Sequence, residues 1–203
     1  MGRSSRGLRA VPRFNFPIRD GLAQRANALL RAAGHQLPRP LVCLNPAGGW
    51  PTKQWPTEQY IALGRLLVER FGAQIVVMGT HHVRAGGGAI AAALGGDAIN
   101  LIGRTNIAEA LAIVRQLQLM VSDDGGLMHL AWTNGIPTVA LFGATRSAWS
   151  RPCGAHARWF GSEDLPCGAC MNPTCARGDR HCLERISVQK VMETVKEIVP
   201  RDR

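Results

Sequence analysis

No run of about 18 apolar residues occurs in this 203-residue chain, so no segment reads as a membrane-spanning helix. The basic N-terminus lacks the apolar stretch of a secretory signal, and the chain reads as cytoplasmic. Aromatic residues are scarce, at 5% with a single tyrosine, and form no interleaved stacking platform. Without a helix-turn-helix signature either, the sequence points away from nucleic acid. There is no internal repeat, and the absence of G-x-G-x-x-G removes the usual dinucleotide fingerprint. Acidic side chains are the scarce charge: 14 against 24 Lys and Arg leave a formal net charge of +10. That excess favours anionic partners, such as nucleotides, phosphorylated glycolipid or an acidic membrane surface.

What is present is an alternation of apolar strands and amphipathic helices. Residues 1–19 carry Arg3, Arg6, Arg9, Arg13 and Arg19 without a sustained period and read as a basic tail. Asp20 can cap a helix running to about Ala33, with Gly34 ending it and Pro38 and Pro40 marking a linker. Residues 1–40 are therefore expected to be tail, helix and linker, and 41–203 the folded domain. LVCLN (Leu41–Asn45) reads as a buried strand, followed by the loop PAGGWPTKQWP and a helix capped by Thr57 that ends at Phe71–Gly72. Further strands are predicted at Ile75–Met78 and Ala98–Ile102. A short helix is expected over Ala89–Leu94, and a longer one over Ile107–Leu117 behind a Thr105 or Asn106 cap. A last helix after Ser187 places Val188, Val191, Val195 and Ile198 on one stripe. Strands and helices at this spacing predict an α/β fold: a Rossmann-like, doubly wound parallel sheet over roughly residues 40–150.

The stretch from Val121 to Gly143, VSDDGGLMHLAWTNGIPTVALFG, organises the rest. It predicts a strand end, an Asp-Asp-Gly-Gly turn, a short helix and a second strand (Thr138–Phe142). Gly tolerates positive φ and lets backbone approach a ligand, while the first amides of the helix have no internal partner and suit a phosphate. Asp124, Gly125, Gly126 and His129 would then meet at the C-terminal edge of the sheet, where open α/β sheets bind ligands. Turn chemistry alone would also explain the Asp and Gly residues, and His129 would in that case only pack beneath the loop.

Three blocks, NPAGGWPTKQWPTEQYIALG, the segment from Leu101 to Thr145, and CGACMNPTCARGDRHCLERIS, match in order and spacing the C-terminal half of glycosyltransferase family 9. These are the lipopolysaccharide heptosyltransferases, and the resemblance covers residues 41 to about 199. It implies one half of a GT-B glycosyltransferase, in which two Rossmann-like domains face a cleft. It implies that Lys53 and Asp124–His129 contact the donor ADP-heptose, with Thr145 a weaker candidate. The acceptor would be the lipopolysaccharide core, reached at the inner face of the inner membrane, and no cofactor is required. The family's catalytic base lies in an N-terminal domain that residues 1–40 are too few to form. The expected activity is therefore heptose transfer with this chain as the donor-binding half. The alternative is a non-catalytic nucleotide-sugar-binding fragment or a subunit of a split enzyme.

Two positions depart from the family. Gly125 stands where Ser or Thr is usual, and Gly79-Thr80-His81-His82 replaces a loop that commonly holds a donor-binding Glu. His81 and His82 either substitute as hydrogen-bonding groups or form a polar loop. The segment Cys167-x2-Cys170-x4-Cys175-x6-Cys182 places four thiols in sixteen residues beside His181. Such spacing suits a structural zinc, two disulfides or four reduced thiols. Similar cysteines in relatives imply a structural knuckle near the cleft. A zinc-stabilised interaction protein using the basic tail is a further reading.

Overall fold

Six strands hydrogen-bond into one all-parallel sheet in the order β3-β2-β1-β4-β5-β6. They are β1 (Leu41–Asn45), β2 (Gln74–Val77), β3 (Ala98–Asn100), β4 (Leu117–Asp123), β5 (Thr138–Leu141) and β6 (Ala157–Phe160). This is a computed structural model, and it describes residues 21–199; the Asp20 cap and the arginine tail lie outside them. The helices are α1 (Leu22–Ala32), α2 (Thr57–Phe71), α3 (Arg84–Leu94), α4 (Ile107–Val114), α5 (Gly126–Thr133), α6 (Ser147–Ser150), α7 (His181–Glu184) and α8 (Val188–Ile198).

The sheet is covered on both faces, as parallel sheets must be, so its central strands read as unbroken apolar runs. Side chains alternate along β1. Val42 and Leu44 pack with Leu63 and Leu67 of α2, Ile90 and Leu94 of α3 and Val191 of α8. Leu41 and Cys43 pack on the opposite face with Ala26 and Leu30 of α1 and Ala110 and Ile113 of α4. The strand order reverses between β1 and β4, and the crevice outside their C-terminal ends is where such sheets take ligands.

The structure redraws several expected boundaries. α1 starts behind Gly21, whose φ of 82° needs glycine, and it buries Ala26 and Leu30 in the domain core. Thr57 is the first residue of α2, not its cap; Pro56 precedes it, with φ of −53° already suited to a helix start. α3 begins at Arg84, well before Ala89, and Gly87 lets this first half lie close to the sheet. A Cβ on Gly87 would stand 2.0 Å from Ile102 Cδ1. α4 ends at Val114, since Leu117 already opens β4. The capping residue is Asn106: its side chain accepts from Glu109 N while the Glu109 carboxylate accepts from Asn106 N. β6 was not legible in the sequence; it is a short edge strand carrying Arg158 and Trp159. The apolar stripe of α8 is covered. Val188, Val191, Val195 and Ile198 are all buried, closing one face of the sheet against α2 and β5.

The reciprocal cap at Asn106 makes a direct expectation. Asn106→Ala should lower equilibrium stability in chemical denaturation by about 1 kcal/mol, with no change in the folded spectrum.

Candidate functional site

The loop after β1 begins at Pro46 and must turn twice to reach α2. Gly48 permits the first turn, since a Cβ there would stand 2.6 Å from the Lys53 carbonyl oxygen. The Gln54 side-chain amide donates to Gly48 O at 2.7 Å, and a 3-10 turn over Pro51–Lys53 carries Lys53 to the sheet edge. There Lys53 Nζ lies 2.9 Å from Asp124 Oδ2, with both side chains mostly buried. Thr145 Oγ1 donates to the same oxygen at 2.9 Å, and the Trp50 ring lies 5.7 Å from the ammonium. Lys53, Asp124 and Thr145 are thus brought together from three loops, at the ends of β1, β4 and β5.

Gly125 is extended and Gly126 opens α5, so both lie at the helix end whose amides lack intrahelical acceptors. Space beside Gly126 is open: a Cβ there would meet nothing within 4 Å. His129 stands one turn further along α5. Its Nδ1 accepts from Trp132 Nε1 at 3.2 Å. An indole N–H only donates, so His129 Nδ1 is unprotonated and, in the neutral ring, Nε2 carries the hydrogen. His129 is placed on the same helix end and bonds to Trp132, not to Lys53 or Asp124.

The neighbouring carboxylate, Asp123, points to the other side of the strand end and is fully buried. Its Oδ1 accepts from Trp55 N at 3.1 Å and from Tyr60 OH at 3.0 Å, and its Oδ2 accepts from Gly48 N at 3.3 Å. Burial pushes its pKa up to about 7, against the opposing pull of these donors and of Lys53. Burial and the adjacent Asp123 likewise hold the Tyr60 phenol well above its ordinary range. Sequence reasoning missed Asp123 and its partners. The one available signal was strand alternation, which sends consecutive Asp residues to opposite faces.

The outer side of the site is formed by the β5 loop and the cysteine segment. Ala144 N donates to Thr52 O at 3.0 Å, and a Cβ on Gly143 would stand 2.1 Å from that oxygen. Thr52 Oγ1 donates to Asn172 O at 2.6 Å and Met171 N to Ala144 O at 2.8 Å, so the segment lies against the site loops. Cys167, Cys170, Cys175 and Cys182 are free thiols lining one cavity of about 150 Å³. Among the described residues, no three His, Cys, Asp or Glu side chains stand in the arrangement a metal ion requires. His81 and His82 are exposed on a 3-10 turn after β2, their rings 4.0 Å apart. An apolar groove of about 270 Å³ lies at the opposite end of the strands, beside Pro40, Leu119 and Val195. It offers no cluster of charged groups and does not compete for an anionic ligand.

Residues 11–181 match glycosyltransferase family 9 (heptosyltransferase). Lipopolysaccharide heptosyltransferase 2 of Salmonella typhimurium is 32% identical over 125 residues, 59% of this chain and 36% of that protein. Lipopolysaccharide heptosyltransferase 1 of Pseudomonas aeruginosa is 31% identical over 126 residues, 62% of this chain and 35% of that protein. Among solved structures, the E. coli ADP-heptose lipopolysaccharide heptosyltransferase II superposes with a TM-score of 0.73 at 26% identity. That likeness covers 90% of this chain and 52% of the other. A family 9 glycosyltransferase from Veillonella parvula shares the fold, with a TM-score of 0.76 at 22% identity over the same shares. The chain spans about a third of the length of these curated relatives.

The buried carboxylate also carries a pH signature. A pKa of about 7, raised above its unfolded value, means the folded state binds the extra proton between about pH 4 and 7. Asp123 therefore favours folding most at the acid end of that window, and its contribution falls as pH rises to about 7. Measured by denaturation, the stability of the unmodified chain relative to Asp123→Asn should fall across the window and level off above it.

Proposed function

Since the chain belongs to glycosyltransferase family 9 (heptosyltransferase), we propose that it binds ADP-heptose at the Lys53–Asp124 edge of the sheet. On this reading it serves as the donor half of an enzyme that transfers heptose to a lipopolysaccharide core acceptor. The observation that carries the proposal is the Lys53 ammonium held 2.9 Å from Asp124 beside the N-terminus of α5. A fixed cation and free helix amides in one partly dry crevice form a seat for a diphosphate. The name of the E. coli relative, an ADP-heptose heptosyltransferase, supports the choice of donor.

The roles then divide by chemistry. Lys53 contacts the phosphates as a point charge, and the Gly125 and Gly126 amides add oriented dipoles. Asp124, an anion, cannot itself face a phosphate; it holds Lys53 in place and offers its remaining lone pairs to a sugar hydroxyl. Thr145 fixes that carboxylate. His129 presents Nε2–H as a donor. As the glycosidic bond breaks, negative charge grows on the departing nucleoside diphosphate, and Lys53 and the α5 amides stabilise it there. The base that activates the acceptor belongs to the facing domain implied by the family. The formal charge of +10 supports work at an anionic membrane face, where a glycolipid acceptor would be presented.

A second reading, nucleotide-sugar binding without transfer, draws on one observation. The two carboxylates at the site are both engaged, Asp124 by Lys53 and Thr145, Asp123 by Gly48, Trp55 and Tyr60. Neither is free to act as a general base.

Calorimetric titration with ADP and ADP-heptose tests the donor site. Lys53→Ala should weaken binding by about ten- to a hundredfold, as expected for losing a charge-assisted contact of about 1.5–3 kcal/mol. Gly126→Ala should keep full stability, since its Cβ meets open space, yet weaken binding by intruding on the ligand. Gly143→Ala should instead cost about 1–3 kcal/mol of stability, because its Cβ strikes the Thr52 carbonyl. A folded chain with no saturable affinity for either nucleotide would overturn the reading. Transfer onto a lipopolysaccharide core acceptor, assayed with ADP-heptose, separates the enzyme from the binding module.

A further inference from the structure

The loop from Pro46 to Pro56 is held to the sheet from two sides; on the inner side the buried Trp55 indole donates to Ile186 O at 3.0 Å, and the loop backbone is taken by one carboxylate. Within the loop the bonds are local: Lys53 N to Trp50 O, Gln54 N to Pro51 O, and the Gln54 side chain to Gly48 O. They shape the turn without fixing where it sits. On the outer side Thr52 is gripped by Ala144 and Asn172. On the inner side the Asp123 carboxylate takes Gly48 N on one oxygen and Trp55 N on the other. One side chain therefore clasps both ends of the segment that carries Lys53. Tyr60 OH, on α2, closes the remaining approach to Oδ1.

We propose that Asp123 is the positioning residue of the donor loop, placing Lys53 by clasping Gly48 and Trp55, a role that adds to the donor reading above. A buried carboxylate is tolerated only while its donors are in place. Any displacement of the loop would strip the carboxylate of backbone partners inside the core. The loop and the carboxylate are thus coupled, and the position of Lys53 follows the clasp. Asp124 makes the complementary contact, holding the tip of the Lys53 side chain once the backbone has been set.

Hydrogen exchange of the free chain tests the clasp without any ligand. In Asp123→Asn the amide oxygen still accepts from Trp55 and Tyr60, but the side-chain nitrogen has no lone pair for Gly48. Protection should drop about tenfold or more at the Gly48 end, the scale of a lost bond to a buried acceptor, while β2, β3 and α1 keep theirs. Asp123→Ala should release the backbone amides of both Gly48 and Trp55, while the Trp55 indole keeps its bond to Ile186 O. ADP titration then tests the consequence for Lys53. Asp123→Asn should weaken ADP binding about tenfold in the natural chain and have no further effect when added to Lys53→Ala. Unchanged protection at Gly48 and Trp55, or an equal rise throughout the sheet, would overturn the positioning role. So would additive losses in the double variant. If the unmodified chain binds no ADP, the donor reading falls, and exchange at Gly48 and Trp55 alone decides the clasp.

Discussion

A strand sends successive side chains to opposite faces, and at the end of β4 this separates two adjacent aspartates. Asp123 turns inward beneath the β1 loop, where three donors surround it. Asp124 turns toward the ligand crevice, where Lys53 and Thr145 meet it. The inward carboxylate fixes backbone, and the outward one fixes a side chain. Both depend on β4 running beside β1, because the loop that carries Lys53 leaves the C-terminal end of the neighbouring strand. The reversal of strand order between β1 and β4 is thus what allows one dipeptide to organise two layers of the site.

Glycines complete the same arrangement by removing volume where loops must touch. Gly143 leaves room for the Thr52 carbonyl, and Gly48 for that of Lys53. Gly125 brings the start of α5 close to Ala47, where a Cβ would stand 3.2 Å from the alanine Cβ. The Ser or Thr usual at this place in the family would need a shift of a few tenths of an ångström. The missing hydroxyl therefore accompanies a tighter approach between the β1 loop and the helix end. The cysteine segment joins this packing through Met171 and Asn172 and walls the outer side of the site.

Much of the architecture was legible because the buried strands announce themselves as short apolar runs. LVCLN coincides with β1, and the doubly wound order follows from alternating strands and helices. The cluster of Lys53, Asp124 and Thr145 was legible through the family resemblance and the turn chemistry around it. Other features were set by contacts that local sequence does not encode. The expected start of α3 at Ala89 left out Arg84–Gly88, whose place against the sheet shows only once Ile102 and Val77 are seen against Gly87. Asp123 read as half of a turn, since its partners Gly48 and Trp55 lie 75 and 68 residues away in sequence. The arrangement of four thiols depends equally on tertiary placement, which spacing alone does not supply.

The pairing of β1 with β4 has a consequence for how the chain comes together. Leu41 lies opposite Leu117, so the central pair of the sheet joins segments separated by the whole of α2, β2, α3, β3 and α4. Closing so long a loop is entropically costly, and topologies dominated by such pairings fold slowly. During synthesis β1 and its loop emerge long before β4. Until Asp123 arrives, the Gly48 and Trp55 amides have water as their partner, and the loop that presents Lys53 has no inner anchor. The loop that presents Lys53 thus gains its Asp123 contacts only when β4 takes its place beside β1.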